Sequence, residues 1–165
     1  MNMYAMRAGT YTIRMRLGAT TVSKPLSVLA DPRANGSVLA EREHGTMSVA
    51  LATTIADVNR TLDSLRAART KAKASSNVDR SFVAEADSLE SLIVNVGTEN
   101  AGPLDILSNP PKLMTDLNGL QSTIEGTSGP VTSGEREQFA RLKARSTSFL
   151  AGSNRLLARR PAGTR

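Results

Sequence analysis

The side chains able to do chemistry are few and poorly grouped. The chain holds one histidine, His44, near Glu41 and Glu43, and no cysteine. A zinc or transition-metal site needs two or three further ligands at a matching spacing, such as a second histidine one helical turn away, and none exists. No metal is therefore expected, and His44 reads as an exposed or half-buried surface residue. Without cysteine, disulfides and thiolate nucleophiles are excluded, while the redox compartment stays open. Asp57, Asp63, Glu85, Asp87 and Glu90 are the carboxylates that could pair for acid and base work. They sit opposite an apolar helical seam, where charged residues form a solvated face. No Gly-x-Ser-x-Gly elbow, phosphate-cradling glycine loop or Gly-x-Gly-x-x-Gly fingerprint occurs. The reading is of a chain without catalytic or cofactor-binding residues, without a cofactor, and not an enzyme.

The remaining chemistry is basic. Net charge is +6, but residues 1–33 carry five Lys/Arg against one Asp, residues 34–134 eight against twelve acids, and residues 135–165 eight against two. The last segment offers the one candidate binding surface, for an acidic partner or phosphate, through Arg141, Arg145, Arg155, Arg159 and Arg160. Positive charge at a helix C-terminus also complements the helix dipole, and no aromatic residues interleave with these arginines as base-stacking platforms would. Nucleic acid is thus an unfavoured partner.

The elements that would position these residues follow from periodicity. Tyr11, Ile13, Met15 and Leu17 alternate with Thr12, Arg14 and Arg16, and after Gly18-Ala19 the return run to Leu29 sets Val22, Leu26 and Val28 against Ser23 and Ser27. That period of two predicts a half-buried β-hairpin. Pro25 assigns its strand to an edge, and Asp31-Pro32 stops the extended run. From Ser37 to Ala74 the spacing changes: Leu51, Ile55, Val58, Leu62 and Leu65 make a heptad seam on a long helix, with Gly45 and Thr53-Thr54 as weak points where it could bend. Ser75-Ser76-Asn77 reads as the cap of a second helix with Val78, Phe82, Ala86, Leu89, Ile93 and Val96 inside, closed by Gly97. Leu104, Ile106 and Leu107 are expected to pin the loop that follows. A short helix after Pro110-Pro111 presents Leu113, Leu117, Leu120 and Ile124. Thr132 with Glu135 matches a capping box that opens a last helix facing inward through Phe139, Leu142, Phe149 and Leu156. No window approaches the ~18 consecutive apolar residues of a membrane span.

The fold class expected is mainly α: an antiparallel helical bundle (34–160) preceded by an N-terminal β-hairpin (1–33), with a disordered tail at 161–165. Two strands alone are marginal in water, so the hairpin either packs on the helices or is the remnant of a larger β-sandwich.

The run GTYTIRMRLG, then KPLSVLADPR, DVNRTLDSLRAAR and NPPKLMTDLNGLQSTIEG, in that order, is similar to the C-terminal region of bacterial sortilin-type β-propeller proteins, the BNR or Asp-box repeat proteins often labelled glycosyl hydrolases. The resemblance covers nearly the whole chain. It implies a hairpin that closes a small sandwich beside a propeller, and a helical segment after it. It also implies an extracytoplasmic location, although MNMYAMRAGTYTIRMRLG carries no secretory signal, so nothing exports the chain as written. The Asp-box pattern requires Trp, and the chain has none, so no propeller blade is present and the hydrolase label brings no catalytic residue with it. The function expected is a non-catalytic accessory or structural C-terminal module of a truncated family member, packing on a propeller or sandwich or self-associating through the hairpin edge. The alternative is a small basic helical protein that binds nucleic acid or an acidic partner through its last helix.

Overall fold

The computed structural model describes residues 8–29, 38–95, 109–127 and 130–159. Strands β1 (Gly9–Leu17) and β2 (Thr20–Val28) pair antiparallel as a two-stranded sheet, and four helices follow: α1 (Val38–Ala74), α2 (Arg80–Ser91), α3 (Leu113–Gly126) and α4 (Ser133–Ala158). The expected class, a mainly helical bundle with an N-terminal hairpin, is the one observed. The readings for Asp31-Pro32, Val96, Gly97, Leu104, Ile106, Leu107, Arg160 and the 161–165 tail lie outside the described residues.

At ~1.5 Å per residue, the 37 residues of α1 make a rod about 55 Å long. Its heptad seam is buried throughout at Leu51, Ile55, Val58, Leu62 and Leu65, and the same spacing carries on upstream to Ser48 and His44. No break occurs at Gly45 or Thr53-Thr54. The hydroxyls of Thr53 and Thr54 donate to the carbonyls of Val49 and Ala50 at 2.8 Å, so both residues are satisfied within the helix.

Helix α2 starts later than its sequence suggests. Asp79, not the Ser75–Asn77 run, is the cap: its carboxylate accepts from the Phe82 amide at 3.0 Å, and Val78 stands outside the helix and exposed. The helix also ends earlier, at Ser91, because the chain turns there to meet α3. The amides of Leu113 and Met114 donate to the carbonyls of Leu92 and Ile93, at 3.5 and 3.1 Å. The N-cap of α3, Lys112, makes no side-chain cap bond, so these contacts satisfy unpaired amides at the start of α3 with unpaired carbonyls just past the end of α2. Helix α4 opens on the expected capping box: Thr132 accepts from the Glu135 amide at 3.2 Å, and the Glu135 carboxylate accepts from the Thr132 amide at 2.7 Å.

Side-chain pairs fix the helix directions. Glu43, near the start of α1, meets Arg136, near the start of α4, so these two run parallel. Glu85 of α2 meets Arg159 just after α4, while Leu89, further along α2, would touch a Cβ at Gly152, further back along α4. Thr127, just past α3, contacts His44 near the start of α1. Helices α2 and α3 therefore run end to end, antiparallel to both α1 and α4, and the four helices make three columns: up, down, up. One core fills the space between them, with Phe82, Leu113, Leu117, Leu120, Ile124, Phe149 and Leu156 packed against the α1 seam.

Candidate docking surface

The surface begins at a turn. Gly18 has φ +59°, while Ala19 keeps a negative φ, the combination in which a two-residue hairpin turn needs glycine at its first central position. Leu17 and Thr20 flank that turn, and the register runs from there through Met15↔Val22, Ile13↔Lys24 and Tyr11↔Leu26 to Gly9↔Val28. Because side chains alternate, Tyr11, Ile13, Met15, Leu17, Val22, Leu26 and Val28 share one face, which also carries Thr20 and Lys24. Thr10, Thr12, Arg14, Arg16, Thr21, Ser23 and Ser27 share the other. The apolar face is not covered: Ile13 is 54% exposed, Met15 64% and Leu17 80%. Among the described residues the hairpin touches none of the four helices. The expectation of a half-buried strand is thus corrected within this chain, since its apolar half faces outward.

The arginines expected to form a basic surface are largely engaged. Arg145 reaches Asp116 at 2.8 Å, Arg159 reaches Glu85 at 2.6 Å, and Arg141 lies 3.9 Å from Glu137. Arg155 donates to the Ala151 carbonyl at 3.4 Å. Arg136 donates to Glu43 through Nε and Nη2, at 2.6 and 2.9 Å, and this holds the Glu43 carboxyl below its ordinary pKa. Arg136, Arg145 and Arg159 therefore link columns, whereas Arg141 and Arg155 bond within α4.

Two residues differ from their sequence reading. His44 is 1% exposed, not a surface residue, because it occupies the heptad seam one step above Ser48; its Nε2 lies 3.4 Å from Thr127 Oγ1. Glu90 is 3% exposed and does not belong to a solvated face. It follows Phe82 and Ala86 at helical spacing, and its carboxylate accepts from Arg66 at 2.6 Å and also from Arg69, which reaches Asp87 at 2.5 Å. Burial opposes the charge on Arg69, but its bonds to Asp87 and Glu90 outweigh this and raise its pKa. The other carboxylates stay apart: Asp57 pairs with Arg60, and Asp63 is exposed. Among the described residues, no group of three or more His, Cys, Asp or Glu could hold a metal ion.

A cleft of about 400 Å³ lies at the α2–α3 junction, lined by Leu89, Leu92, Ile93, Leu113 and Phe149, with Arg145 at its edge. Arg145 is already paired with Asp116, so the cleft presents no unpaired charge to a ligand. Among the described residues, no helix is long and apolar enough to cross a membrane.

Fold and surface together define a closed helical bundle that carries an amphipathic hairpin with one uncovered apolar face. Comparison with known proteins gives no matching family model, no matching curated protein and no matching solved structure.

Proposed function

We propose that the chain is a non-catalytic accessory module whose hairpin docks, through its apolar face, on the β-sandwich or propeller of a sortilin-like protein. One observation carries the reading: the bundle buries its own core, while Ile13, Met15, Leu17 and Val22 stay exposed on a single face. A contiguous exposed apolar patch of this kind marks an interaction site. The order of the GTYT, ADPR and NPPK segments adds the choice of propeller family. The reading as a basic nucleic-acid binder draws less support, because Arg141, Arg145 and Arg159 each face a carboxylate.

The test starts from the DNA upstream of Met1, read in all frames for Asp-box blades. A propeller encoded there is purified and mixed with this chain. Co-purification that is lost in the Ile13→Lys, Met15→Glu double variant supports the reading. Co-purification that survives the double variant, or no association at all, overturns it. Binding to DNA or RNA that weakens steeply with added salt would instead favour the basic binder.

A further inference from the structure

We infer that the hairpin joins its partner sheet along the open edge of β1, and that the strand received there carries acidic residues on one face and apolar residues on the other. This deepens the docking reading and rests on it. The sheet has two strands, so β1 and β2 each keep one open edge among the described residues. The two edges are not equivalent.

The turn decides which backbone groups point outward. In a two-residue hairpin the flanking pair exchanges both hydrogen bonds, and bonded pairs then alternate with non-bonded ones. From Leu17↔Thr20 the bonded pairs are therefore Met15↔Val22, Ile13↔Lys24 and Tyr11↔Leu26. The pairs Arg16↔Thr21, Arg14↔Ser23 and Thr12↔Pro25 are non-bonded, and their N–H and C=O groups face the open edges. Pro25 falls in this second set. Its missing N–H costs the hairpin nothing, yet it removes a donor from the middle of the outer edge of β2, which is how natural sheets blunt an edge. On β1 the outward positions Thr10, Thr12, Arg14 and Arg16 all keep their donors. An added strand finds a complete hydrogen-bonding row on β1 and an interrupted one on β2.

Charge selects the occupant. Every charged residue between Gly9 and Val28 is basic: Arg14, Arg16 and Lys24. Arg14 and Arg16 stand on the polar face at two of the outward positions. A second copy paired edge to edge through β1 would line up four guanidiniums on one face, and like charges across strands destabilise. A strand with Asp or Glu at alternate positions neutralises Arg14 and Arg16. Its intervening apolar residues extend the face of Ile13 and Met15.

The test uses the full chain and a synthetic peptide that alternates Glu and Val, with a Lys-Val peptide as control. Binding is read by titration calorimetry and by amide hydrogen exchange. The expected result is slowed exchange at the amides of Thr10, Thr12, Arg14 and Arg16, with the outward β2 amides of Thr21, Ser23 and Ser27 unchanged. Two attractive cross-strand pairs replaced by repulsive ones make the Lys-Val peptide about tenfold weaker. Thr12→Pro abolishes binding, whereas Pro25→Thr does not weaken it. Because Thr12→Pro could loosen the hairpin itself, the Arg14→Glu, Arg16→Glu double variant gives an independent reading: it reverses the preference toward the Lys-Val peptide. Protection at the outward β2 amides of Thr21, Ser23 and Ser27, equal binding of both peptides, an unchanged preference in the double variant, no peptide binding, or chain dimers paired through β1 would overturn the inference. Propeller association that is lost in the Ile13→Lys, Met15→Glu variant but indifferent to Thr12→Pro would leave face docking intact and overturn edge pairing alone.

Discussion

Removing the Glu90 carboxylate leaves Arg66 and Arg69 side by side against the buried end of α2. Truncating one member of a fully buried ion pair costs about 3–5 kcal/mol. Arg66 and Arg69 keep 45% and 22% side-chain exposure, so water can take up part of the stranded charge, and Glu90→Ala should cost about 2 kcal/mol by urea denaturation. Arg60→Ala, which removes the exposed Asp57 pair, should move the midpoint barely at all. The capping box makes a separate prediction. Thr132→Ala should cost about 1 kcal/mol of stability. The bonds from the Thr132 backbone and side chain hold the Glu135 carboxyl below its ordinary 4.5. A depressed carboxyl binds fewer protons folded than unfolded near that pH, so its stabilisation is complete above 4.5 and is lost as pH falls through the lower folded value. Acid titration of the unfolding midpoint should therefore be shallower in Glu135→Gln than in the wild type.

At the scale of elements, α1 organises the bundle, since α2, α3 and α4 all pack on it. Leu62 and Leu65 stand mid-seam at 3% and 1% exposure, and each truncated to Ala should cost about 2–5 kcal/mol in a denaturant midpoint. Unchanged midpoints would show that the columns do not pack on this seam. The seam, the hairpin alternation and the Thr132–Glu135 box were legible in the sequence because each is a local pattern whose meaning is independent of its neighbours. His44 and Glu90 were not, although both keep helical spacing with buried neighbours: a polar residue on a seam looks like surface until its partner is known. For Glu90 the partners are Arg66 and Arg69, more than twenty residues earlier, and two arginines three apart on the preceding helix were the one available hint. The end-to-end joint of α2 and α3 left no sequence trace, because it is made by backbone amides and carbonyls that any residue supplies.

The whole molecule divides its apolar surface in two. Most leucines, valines and isoleucines of the helices close on one another, with Leu39 and Val49 of α1 left exposed, while Ile13, Met15, Leu17 and Val22 of the hairpin stay uncovered by the described residues. If the hairpin contributed to the stability of the bundle, it would have to do so through contact, and it makes none with α1, α2, α3 or α4. Deleting residues 1–29 should therefore leave the thermal midpoint and the helical circular dichroism of the bundle unchanged. The same deletion should abolish association with any partner that the full chain retains. The opposite outcome, loss of cooperative unfolding on deletion, would make the hairpin part of the core and remove the physical basis for a docking role. An isolated two-stranded ribbon is marginal in water, so the hairpin in turn should gain order only when its face is covered. Amide exchange at Tyr11, Ile13, Met15 and Leu17, whose N–H groups point toward β2, should be faster than in the α1 core in the free chain and should slow on partner binding. Slow exchange there without a partner would mean that the hairpin is stable on its own, and that its apolar face needs no cover to stay folded.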